Sequence, residues 1–248
     1  MKNTRIMTVL NIIPDILAFG LGLSLAYFLK WETRDLVWSL WLSSLVLGYL
    51  TILSIFAGGV LAGVYAIING QMTRKQLIQF ITIGTLAGLF LLSFFSIHFC
   101  GFHAGHSVFL NSFFPVEGMP EDGFGSAFMN PPLLWLLVFR HLMKPYGIFL
   151  IPAIISERNN VFMPLIAAIR ALRPDMQNGN AGIKGMEPKN IMGRPYLNVV
   201  RMHILIFFFA FCYILKISSF LVYTVVYFVY FFPWKGARIL LSRKQDLK

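Results

Sequence analysis

The chain has 248 residues, of which 21 are basic and 10 acidic, and it is 57% hydrophobic with 25 Phe. Its charged fraction of 12% is about half that of an ordinary soluble domain, so it cannot cover itself with polar surface, and the bilayer is its natural solvent. A net charge of +11 would point to nucleic acid in a soluble protein; beside this hydrophobicity it reads as basic cytoplasmic loops, with no nucleic-acid partner.

The opening stretch, "MKNTRIMTVLNIIPDILAFGLGLSLAYFLKW", joins a basic head to an apolar body. It is longer than the roughly 7–15 apolar residues of a cleaved signal. It carries Asn11, Pro14 and Asp15 and has no small-residue cleavage site, so it reads as a retained first span over 6–29. A second span is expected over 36–57. The apolar text continues to Ile68, and Gly58-Gly59 offers a break after which 60–68 would lie along the interface. A third falls at 77–99 and a fourth at 133–155. Leu77 to Phe114 also overshoots one span, with Gly101 as a candidate break.

The run from Tyr196 to Pro233 is too long for one span of about 20 residues. It divides at Lys216–Ser219 into 196–215 and 218–232. The last piece is short, which leaves five spans open beside six. Before it, "VFMPLIAAIRALRP" (161–174) has the pattern of a short amphipathic helix whose basic residues face anionic headgroups. The segment 175–194 reads as a loop.

Charge sets the direction. The 115–132 connection holds Glu117, Glu121 and Asp122 and no Lys or Arg. The 156–195 loop holds Arg158, Arg170, Arg173, Lys184, Lys189 and Arg194, and the tail is basic as well. The positive-inside rule then puts both termini, the 69–76 loop and the 156–195 loop in the cytoplasm, which six spans satisfy. Cys100 and Cys212 both lie in apolar runs and form neither a disulfide framework nor a paired thiolate motif. Small-xxx-small pairs at Gly59/Gly63, Gly84/Gly88 and Gly101/Gly105 allow close helix packing or a dimer face.

Three blocks carry a family resemblance: "NIIPDILAFGLGLSLAYFLKWETRDLVWSLWLSSLVLGYLTIL" (11–53), "FFSIHFCGFHAGHSVF" (94–109) and "MGRPYLNVVRMHI" (192–204). Together they resemble a family of bacterial polytopic membrane proteins described only as a domain of unknown function. The likeness implies a multi-pass helical fold in a bacterial membrane and puts His98, His106 and His203 on family-like positions. It supplies no reaction. "WLSSLV" lacks an acidic residue expected in the second span, and "ISERN" stands where Ser-His is expected.

Three of the five histidines fall within 94–110. On an ideal helix His103 and His106 share a face and are three residues apart, whereas His98 lies about 12 Å along the axis from His106. A break at Gly101 would relax that separation. Counting depth from Leu77 puts His98 near the outer interface, about 31 Å up. Counting from Leu133 brings His141 about 12 Å in from the same side, beside Arg140 and Lys144. Counting from Tyr196 puts His203 about 11 Å in from the opposite side, apart from His98.

These counts define a candidate metal set of His98, His103, His106 and His141, taking a transition metal or haem. Arg140 is the strongest ionisable group inside a span, with Glu117, Glu121 or Asp122 as candidate partners. His203 reads first as a packing residue. Asp15 is the only acid in the first span, with Asn11 or a base on another helix as its candidate partner. Lys216 reads as snorkelling from a hairpin. No phosphate loop, His-Glu-x-x-His or Gly-x-Ser-x-Gly motif is present, so nothing identifies an enzyme.

The expectation is an all-α polytopic bundle of about six spans, one integral membrane domain over 1–248 with a cytoplasmic segment at 156–195, both termini inside, in a bacterial inner membrane. The leading function is a structural or accessory subunit partnered by lipid and by another membrane protein or a second copy of itself. A metal- or haem-binding protein and a small transporter with an Arg140-lined cavity remain open beside it.

Overall fold

The computed structural model describes residues 2–68, 73–171, 200, 203–217 and 220–232. Every regular element among them is helical. In chain order these are α1 (Lys2–Phe28), α2 (Thr33–Ile68), α3 (Arg74–Phe113), α4 (Gly123–Ser126) and α5 (Pro131–Leu137), then α6 (Met143–Tyr146), α7 (Leu150–Val161) and α8 (Met163–Ala171). The apolar helix His203–Ile214 follows as α9 and Phe220–Phe231 as α10. The rest of the 156–195 loop, from 172 on, and the basic tail lie outside the described residues.

The helix ends have local causes. α3 opens with a capping box: the Thr73 hydroxyl accepts from the Gln76 N–H at 3.4 Å, and the Gln76 side chain accepts from the Thr73 N–H at 2.9 Å. α1 closes on Lys30, whose φ of 54° allows Trp31 N–H to reach Ala26 O at 2.8 Å and Lys30 N–H to reach Tyr27 O at 3.2 Å. That is the paired C-terminal motif that satisfies the last carbonyls of a helix. The same device ends α9: Lys216 has φ 54°, and Ile217 N–H bonds Cys212 O. The expected turn at Lys216 is therefore present, with Lys216 as its left-handed residue.

α2 and α3 are each unbroken. α2 passes straight through Gly58-Gly59 and α3 through Gly101, so neither expected break occurs. Apolar residues on both sides of each glycine favour continuing the helix, and a single glycine costs only about 1 kcal/mol. At 36 and 40 residues the helices run about 54 and 60 Å, well beyond a bilayer core of about 30 Å.

The irregular stretch lies in the expected fourth span. Pro145 has no N–H, and its ring crowds the carbonyl four residues back, that of His141. The chain forms a π turn over Val138–Leu142, in which Met143 N–H bonds Val138 O. Pro152 stands in the same relation to Ile148, inside the 3₁₀ turn Gly147–Phe149.

α2 lies at the centre. Trp38, Trp41, Leu42 and Leu45 on α2 are fully buried with Phe95 and Phe99 of α3, Phe149 and Phe209. Three of its hydroxyls fold back on the helix, those of Ser39, Ser43 and Thr51 donating to Leu36 O, Ser39 O and Leu47 O. α3 seats on α2 where Gly48 receives the Phe99 ring; a Cβ there would lie 2.2 Å from Phe99 Cζ. α9 lies parallel to α3, with His203 at Phe102 and His106 and Tyr213 at Phe113. α10 covers α1, stacking Tyr227 on Phe19 at 5.2 Å. α8, the start of the expected amphipathic segment, packs on α2 with the Pro164 carbonyl beside Gly58.

Candidate functional site: histidines between α2, α3 and α9

α3 turns its two neighbouring histidines toward different helices. His103 faces α2 and is fully buried. Its Nδ1 lies 3.0 Å from Phe99 O, and because a carbonyl only accepts, Nδ1 carries the proton. Its Nε2 lies 3.3 Å from the Ser44 hydroxyl. The His103 carbonyl accepts from Trp41 Nε1 at 3.1 Å, and the Trp41 ring stands edge-on to the imidazole. One turn nearer the start of α2, Trp38 Nε1 donates to Phe114 O at 2.8 Å. Indoles, hydroxyl and imidazole thus tie α2 to α3 through bonds made inside the protein.

His106 faces α9. It is 6% exposed, and its Nε2 lies 3.1 Å from each ring nitrogen of His203. The two rings are nearly perpendicular with centroids 4.2 Å apart. The Nδ1 of His106 is buried and has no hydrogen-bond partner among the described residues. His103 and His106 are 6.0 Å apart, centroid to centroid.

The other candidates lie elsewhere. His98 is exposed and stacks on Phe94 with Phe102 edge-on; with α3 unbroken its distance along the helix from His106 stands. His141 sits in the π turn with its imidazole against Gly118, where φ is +71°. Arg140, beside it, is exposed, and among the described residues it forms no ion pair with Glu117, Glu121 or Asp122. No three His, Cys, Asp or Glu among the described residues are placed to hold a metal ion.

One relationship departs from the expectation and a second completes it. His203 was placed on the opposite side by counting from Tyr196, yet it meets His106. The count assumed that Leu77 marks one membrane surface, and a helix as long as α3 gives no such origin. The second is the ion pair between Arg158 Nη1 and Asp15 Oδ1. Arg158 also donates to Ile155 O. Its positive charge reads as loop in the sequence, but α7 carries it to Val161. Asp15, the lone acid of the first span, thus takes as its partner a base on another helix, one of the two kinds expected from the sequence. A third bond, Tyr49 hydroxyl to Cys100 Sγ at 3.1 Å, again joins α2 to α3.

Among the described residues this is an all-helical protein with three helices long and apolar enough to cross a membrane, Thr33–Tyr65, Arg74–Phe113 and Pro131–Val161. The chain belongs to the family of unknown function DUF6498, whose family model matches residues 11–162. That match takes in Asp15, Arg158 and four of the histidines and ends before His203, so the third resembling block lies outside it. No curated protein and no solved structure matches the chain.

Proposed function

We propose that the protein is a six-span protein of a bacterial inner membrane, with both termini cytoplasmic, and that it serves as a structural or accessory subunit of a membrane assembly. The observation that carries this reading is how the interior polar groups are used. Trp38, Trp41, Ser44, Tyr49, Cys100 and His103 bond across the α2–α3 contact, and Asp15 and Arg158 bond α1 to α7. Side chains committed in this way hold helices together and offer little to a substrate. The apolar flank of α3, with Ile78, Ile81, Leu86 and Phe90 exposed, is what lipid or a partner subunit would cover.

Helix directions support the span count. α9 runs parallel to α3, as a fifth pass would beside a third. Phe19 meets both Tyr227 and Phe232, which sets α10 beside α1 as a closing pass.

The test has two arms. Single cysteines placed at 72, 118 and 248 in a Cys100→Ala/Cys212→Ala background are labelled from either side of sealed membranes; the reading requires 118 opposite to 72 and 248. Native gels of solubilised membranes then compare the protein's migration with that of the purified chain. A species larger than the purified chain in the same detergent supports the subunit role, and migration of all of it as a lone monomer overturns that role.

A further inference from the structure

We propose that the stretch 115–145 is a re-entrant hairpin. It enters the outer half of the bilayer from the outer face, seats Phe128 and Met129 among lipid acyl chains and returns, so that the fourth crossing begins at Tyr146. Which face is the outer one rests on the six-span reading; the hairpin itself rests on contacts. α2 is the ruler. Its start carries Glu32, Arg34 and Asp35, which mark a membrane surface, and each later residue adds about 1.5 Å of depth.

The chain descends first. The Phe114 carbonyl accepts from Trp38 near the start of α2. Phe124 stacks on Trp38 and meets Trp41. The Met129 sulfur lies beside Gly101, at the level where Phe99 fills the space at Gly48. Trp135 reaches Tyr49, with ring centroids 5.2 Å apart. Fourteen residues of α2 separate Asp35 from Tyr49, about 21 Å of depth. The course then reverses. His141 lies against Gly118, and Tyr146 donates to Asp35 at 3.2 Å with Trp31 edge-on to its ring. The chain is back at the end of α2 from which it set out. Beyond Tyr146 it descends again, through Arg158 at Asp15 to the Pro164 carbonyl at Gly58. A helix crossing straight from Pro131 would put Trp135 nearer to the Asp35 end than Tyr146, the reverse of what these contacts show.

The sequence of the hairpin suits lipid. No charged residue stands between Asp122 and Arg140. At the turn Phe128 and Met129 are 57% and 55% exposed, and an aqueous loop would hold both in water. Backbone inside a bilayer must find its hydrogen bonds within the protein. Phe128 N–H bonds Gly125 O, and Asn130 N–H bonds Ala127 O. A helix start ordinarily leaves four N–H groups without partners. At the start of α5 Pro131 and Pro132 have no N–H to leave. The Leu133 N–H bonds the Asn130 side chain and the Leu134 N–H bonds the Asn130 carbonyl. Met129, with φ 59°, supplies the left-handed step at which the chain turns upward.

The experiment uses the full chain in sealed membranes, with Phe128→Cys, Lys144→Cys and Gly118→Cys each made in the Cys100→Ala/Cys212→Ala background. A membrane-impermeant maleimide is expected to label 118 and 144 from one side, and to label 128 from neither side until the protein is denatured. A simple span from 133 to 155 requires the opposite, with 128 labelled and 144 protected. Labelling of 128 in sealed membranes, or protection of 144, overturns the hairpin. If Phe128→Cys fails to insert, Met129→Cys is read with the same criterion. A nitroxide at 128 should be relaxed more by dissolved oxygen than by a water-soluble nickel chelate, and one at 144 more by the chelate; the chelate winning at 128 overturns the contact with acyl chains. Labelling of 118 from the same side as 72 overturns the six-span reading instead, and leaves the contrast between 128 and 144 to decide the hairpin.

Discussion

Asp15 on α1 and Arg158 on α7 form an ion pair across 143 residues of sequence. Both side chains are about three-quarters buried, at 27% and 25% exposure. The pair fixes the rotation of α1 against α7, because the two side chains meet only when the Asp15 face of α1 is turned to the Arg158 face of α7. Asp15→Asn leaves the guanidinium without its counter-charge, and a cost of roughly 1–3 kcal/mol is expected. Thermal unfolding in detergent measures it. The exchanged variant Asp15→Arg/Arg158→Asp should recover part of the loss; a double variant no more stable than the sum of its single changes would show that the charges do not act on each other.

Gly48 is the seat for Phe99. A side chain there meets the ring at 2.2 Å, and a ring packed between two helices has nowhere to yield. Gly48→Val is expected to destabilise by about 1–3 kcal/mol. Phe99→Leu, which shortens the intruding group, should soften the effect of Gly48→Val, so the two changes together should cost less than their sum. Unfolding temperatures of the four proteins in the cycle decide it.

The bonds around His103 should each be small and mutually dependent. Ser44→Ala removes the hydroxyl at Nε2, and Trp41→Phe removes the donor to the His103 carbonyl. Side-chain hydrogen bonds between membrane helices average about 0.6 kcal/mol and reach about 1.7, and each variant is expected within that range apart from the packing lost with the indole. A Ser44→Ala loss far above it would mean that the hydroxyl does more than satisfy the imidazole.

Cys100 and Cys212 are both free and buried. Neither should react with maleimide in the folded protein, and both should react after denaturation, as read by intact mass. Tyr49→Phe removes the hydroxyl on Cys100 Sγ. It should leave Cys212 unchanged and speed labelling at Cys100, because the phenol no longer holds the α2–α3 contact at that level.

Much of the bundle was legible because hydropathy registers solvent directly. The helices at 36–57 and 77–99, and the division at Lys216, come from runs of apolar residues and their interruption. Interruption inside a run was harder to judge. Glycines at 58, 59 and 101 looked like breaks and are helical, since nothing nearby offers a better use for the backbone. Pro145 and Pro152 did alter the helix, through a missing N–H and a crowded carbonyl.

At the site, the spacing of His103 and His106 identified two neighbours on α3, but spacing on one helix cannot say which other helix arrives. His203 was misplaced because depth was counted from residues that do not mark a surface. Arg158 reads as loop because its charge stands just past the apolar run, whereas α7 continues to Val161.

The partners of the His106–His203 contact are separated by 97 positions. During synthesis at about 5–20 residues per second, α3 is complete for roughly 5–20 seconds before α9 exists. Through that interval His106 has no imidazole opposite it and must face lipid, the insertion machinery or a temporary neighbour. The contact therefore dates the molecule: its presence marks a chain whose α9 has been made and docked, and a product truncated before His203 lacks it however well the preceding helices have packed.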